Sequence, residues 1–65
     1  MTNKLKAIFA IGVMACNMGD KKTAKEALVD IIVLVRGTSY QEVGMGMYDM
    51  LAERVHLTFQ KQQCV

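Results

Sequence analysis

At 65 residues the chain holds one domain at most, spanning 1–65. Eight Lys/Arg against six Asp/Glu leave a net charge of +2, which excludes a polycationic nucleic-acid tail and an acidic solvating tail. A hydrophobic share of 52% excludes intrinsic disorder, and two Cys exclude both a disulfide framework and a four-cysteine zinc site.

The chain carries no proline, and its long apolar runs do not alternate with polar residues, so the pattern predicts helices. The first helix is expected over about 3–18. Ala7 to Cys16 is unbroken apolar residue or glycine, which is too short for the roughly 20 residues of a membrane span. A helix apolar all round needs cover on most sides. Gly19 is suited to close it, and Asp20 to cap the next.

The second helix is expected over about 21–36. Ala24, Ala27, Leu28, Ile31, Ile32, Leu34 and Val35 form its core stripe. Val29 and Val33 stand outside that stripe and need a further partner. Arg36 and Gly37 suit its C-terminal end.

The third helix is expected over about 39–62. Ser39 and Glu42 have the spacing of a capping box. Val43, Met47, Leu51, Val55 and Phe59 recur every four residues as its stripe, widened by Tyr40, Tyr48 and Met50. Gly44 and Gly46 either permit a close helix approach or mark a bend. The fold class is therefore all-α: an antiparallel hairpin plus a longer third helix, joined by short connections.

Ile8, Ile11, Gly12, Gly19, Ala24, Leu28 and Ile31 give residues 5–35 a pattern that resembles a single tetratricopeptide helical hairpin. The aromatic usual near Ala15 and Lys21 and the proline usual near Arg36 are missing. The resemblance implies protein binding. Residues 1–16 also resemble a bacterial lipoprotein signal: Lys4 and Lys6, then the apolar run, then Val13-Met14-Ala15-Cys16 in the place of the lipobox. Methionine stands where a small residue is usual. That resemblance implies lipid on Cys16 and a membrane-anchored product.

Little in the chain carries chemistry. Cys16 and Cys64 read as a disulfide, a redox pair or a lipid site, or else as a buried small hydrophobe and an incidental thiol. His56 is the sole histidine; with Glu53 it makes one E-x-x-H, where di-iron bundles need two. Gly44-Met45-Gly46 fits no phosphate-loop pattern, and Ser39 has no base beside it. No catalytic, cofactor or metal residues are assigned, and enzyme activity is not expected. Lys4 and Lys6 fall at the opposite end of the hairpin from Lys21, Lys22 and Lys25, which weakens the case for nucleic acid.

The apolar residues exceed what three helices can hide. This predicts self-association, most simply a homodimer, through Val29, Ile32, Val33, Tyr40, Met47, Tyr48 and Leu51. The function read from the sequence is a small non-enzymatic, cytoplasmic regulator or adaptor. It would act as an inhibitor, chaperone or assembly subunit by docking helices onto a larger protein. The alternatives are a lipoprotein anchored at Cys16 and a nucleic-acid-binding regulator.

Overall fold

The computed structural model describes residues 2–63, with side chains described over 2–60. Three α-helices follow one another: α1 (Thr2–Met18), α2 (Lys21–Val35) and α3 (Gln41–Gln63). The all-α expectation of a hairpin with a longer third helix is met. Each helix packs against both others.

The first corner is a Schellman turn. Gly19 takes φ 76°, its amide donates to the Cys16 carbonyl (3.2 Å), and the Asp20 amide donates to the Ala15 carbonyl (2.8 Å). Glycine is favoured there because a Cβ strains the left-handed conformation. Asp20 then caps α2: its carboxylate accepts from the Thr23 amide (3.1 Å) and from the Thr23 hydroxyl (2.6 Å).

The second corner is a type II turn, with Arg36 at φ −59°, ψ 126° and Gly37 at φ 74°. The Thr38 amide donates to the Val35 carbonyl at 3.0 Å, and the Thr38 hydroxyl donates to the same oxygen at 2.7 Å. That hydroxyl in turn accepts from the Tyr40 amide. Thr38 therefore organises this corner in place of the expected Ser39–Glu42 capping box. Ser39 is exposed and makes no hydrogen bond among the described residues, and α3 starts at Gln41 rather than at 39.

The core is a single cluster. Leu5, Ala15 and Cys16 come from α1, Ala24, Ala27, Ile31 and Val35 from α2, and Leu51, Val55 and Phe59 from α3. Two glycines set how closely the helices approach. A methyl added to Gly12 would lie 2.5 Å from Leu51 Cδ2 and 3.1 Å from Ala27 Cβ; one added to Gly44 would lie 2.5 Å from Val35 Cγ1. Gly44 is thus a point of close approach, and α3 runs through Gly44 and Gly46 without a break.

Two expectations about coverage need correction. The four-residue stripe of α3 puts Val43 in the core, whereas the fold leaves it exposed. A strict four-residue step advances about 40° beyond each full turn, so Val43 and Phe59 end up roughly 160° apart around the helix. The core follows Gly44, Leu51, Val55 and Phe59 instead. Helix α1 is not covered on most sides: Leu5, Gly12, Ala15 and Cys16 are buried, while Ile11 and Met14 are exposed.

Candidate interaction surface

The residues expected to form one interface are divided by the fold. Leu51 is fully buried in the chain's own core and is not available to a second molecule. Met47 and Tyr48 are half-buried against that core, and Ile32 is also half-buried. Val29 and Val33 are exposed on α2, on the side turned away from Ala24, Ala27 and Ile31. Tyr40 is exposed at the α2–α3 corner.

Two other exposed apolar strips are present. On α1, Ile11, Met14 and Met18 stand at helical spacing and point outward; Met18 is the most exposed large hydrophobic residue described, at 77%. On α3, Val43, Met50 and Leu57 stand seven residues apart. The run Ala7–Cys16 hid the first strip, because a helix apolar on every side does not show which side it buries. The seven-residue spacing of the second was legible but overlapped the four-residue stripe.

The α1 strip borders a groove along the outside of the hairpin. One stretch is lined by Ile8, Ile11, Thr23, Glu26, Val29 and Asp30. The next is lined by Ile11, Met14, Met18 and Thr23. Ile11 and Thr23 border both stretches, so the two depressions adjoin along α1 between Ile8 and Met18, about 15 Å along the helix. The groove floor is apolar, and its rim carries both signs of charge through Lys22, Glu26 and Asp30. Methionine supplies adaptable packing there.

The residues considered for chemistry do not assemble. Cys16 is a free, buried thiol on α1, and Cys64 lies outside the described residues. Glu53 and His56 are both exposed on α3; among the described residues no three His, Cys, Asp or Glu side chains gather as a metal site. Lys21 and Lys25 border a cleft with His56, Phe59 and Gln60, at the end of the hairpin away from Lys4 and Lys6.

One titratable group is clearly shifted. The hydrogen bonds from the Thr23 hydroxyl and amide, aided by the charge of Lys22, hold the Asp20 carboxyl below its ordinary value of 3.8. This is a helix cap at work and belongs to folding rather than to a site.

Among the described residues no helix is long and apolar enough to cross a membrane. Compared with known proteins, the chain matches no family model, no curated protein and no solved structure.

Proposed function

We propose that this chain is a small, non-enzymatic, cytoplasmic regulator or adaptor that receives an apolar segment of a larger protein in the groove along α1 and α2. The observation that carries the reading is the exposure of Ile11 and Met14 on a helix whose other face is already packed. A monomer gains nothing from leaving such residues in water, whereas a groove of this kind suits an amphipathic helix laid along it. Blocking, recruiting or stabilising the partner would then follow from steric occupation alone.

The lipoprotein alternative has a structural cost. Cleavage before Cys16 would remove Leu5, Gly12 and Ala15, all buried among the three helices, and would leave Leu51 uncovered. The docking reading leaves the core intact.

A photo-crosslinking residue at Met14 tests the proposal in cells where the chain is native. The expected result is an adduct with one larger protein, lost on Ile11→Asp while helical circular dichroism is unchanged. An adduct with no other protein, or a native product beginning at a lipid-modified Cys16, would overturn it.

A further inference from the structure

We propose that the cleft between the start of α2 and the second half of α3 is a binding site for a small organic anion, whose acid group meets the rim and whose apolar body covers the floor. The cleft meets the groove only at Lys25, and the site does not depend on a partner in that groove.

The first observation is the chemistry of the rim. Lys21 and Lys25 stand four residues apart on α2, on one face of the helix, and α3 contributes His56 and Gln60 to the same cleft. An ammonium group only donates hydrogen bonds, an imidazole carries at least one N–H, and the glutamine amide adds an NH2. No carboxylate borders the cleft among the described residues. Like charges four apart on a helix repel, and nothing bordering the cleft offsets that repulsion. An anion seated between the two lysines does.

The second observation is the floor, formed by Ala52, Val55 and Phe59. Val55 and Phe59 belong to the core, so packing of the three helices holds this floor in place. Ala52 is half-buried, and its small side chain leaves the space open. A bare inorganic anion leaves the apolar floor in water, whereas a hydrocarbon or aromatic body covers it. The cleft measures about 250 Å³, below the roughly 300–1,000 Å³ of drug-sized sites. It therefore fits a fragment-sized acid rather than a nucleotide or a lipid chain. Lys25, His56 and Gln60 are exposed, so solvent screens each contact, and the expected dissociation constant is on the order of millimolar.

NMR titration of the full chain with phenylacetate, phenylacetamide and inorganic phosphate tests the site. Phenylacetate should shift the His56 ring protons and the Ala52 methyl along one saturating curve. Phenylacetamide has the same body without the charge, and phosphate has the charge without the body. Each should bind about tenfold more weakly or worse, and phosphate should leave the Ala52 methyl in place. The double variant Lys21→Gln/Lys25→Gln should weaken phenylacetate binding about tenfold with helical circular dichroism unchanged. The double variant Lys4→Gln/Lys6→Gln removes the same charge at the far end of the hairpin and should bind as wild type does. Shifts that fail to saturate, phenylacetamide or phosphate binding as tightly as phenylacetate, or equal weakening by the two double variants would each overturn the proposal.

Discussion

Gly12, Gly44 and Gly46 all lie within helices, yet alanine should act differently at each. At Gly44 the added methyl would come within 3 Å of Cγ1, Cγ2 and Cβ of Val35. A β-branched side chain cannot turn away from a clash that includes its own Cβ. Overpacking of this kind costs about 1–3 kcal/mol, more than the gain of about 1 kcal/mol from replacing a helical glycine. At Gly12 the closest atoms are the terminal methyls of Leu51, which have more freedom to shift. At Gly46 the methyl meets open space. Urea denaturation of the three alanine variants at low protein concentration should therefore rank Gly46→Ala above wild type, with Gly44→Ala the least stable. Equal effects at Gly44 and Gly46 would mean that α3 does not pack on Val35 as described.

At the scale of one element, α2 owes its start to a local exchange between Asp20 and Thr23. The native carboxyl titrates below its ordinary value of 3.8, so the unfolded chain takes up the proton first as the solution is acidified. The cap's contribution is fully present above that ordinary value and disappears as pH falls through the lower native value. The thermal midpoint of wild type should drop on acidification by more than that of Asp20→Asn, which keeps an acceptor but has no charge to lose. Parallel melts of the two proteins at neutral and strongly acidic pH measure the difference. Identical acid sensitivity would assign the effect to other carboxylates. The α2–α3 corner offers a matching test in the opposite sense: Ser39→Ala should leave stability unchanged, because Thr38 holds the bonds that a capping box would have made.

For the whole molecule, the decisive residue is Leu51. It is fully buried, and a methyl on Gly12 of α1 would touch its side chain. Leu51→Ala should cost about 2–5 kcal/mol. A chain of this length holds only about 3–10 kcal/mol in total, at roughly 0.05–0.15 kcal/mol per residue. The variant should therefore lose a large share of its stability, seen as a lower thermal midpoint followed by helical circular dichroism. Val29→Ala should be nearly silent in the same assay, although the sequence placed both residues on one interface.

What the sequence determined alone was short-range. The number of helices, their order and the two corners at Gly19 and Gly37 follow from the absence of proline, apolar periodicity and glycine at helix ends, each acting within a few residues. The choice of covered face was decided only by tertiary structure. Helix α1 offers apolar residues on every side, and the α3 pattern supports both a four-residue and a seven-residue reading. Neither resolves until the helices meet. They meet where side chains are smallest: Gly12 opens the way for Leu51 and Ala27, and Gly44 opens it for Val35. Those approaches bury Leu51 and turn Val43, Met50, Ile11 and Met14 outward. The candidate surfaces are therefore the faces left over by packing, and packing depends on contacts between residues far apart in the chain.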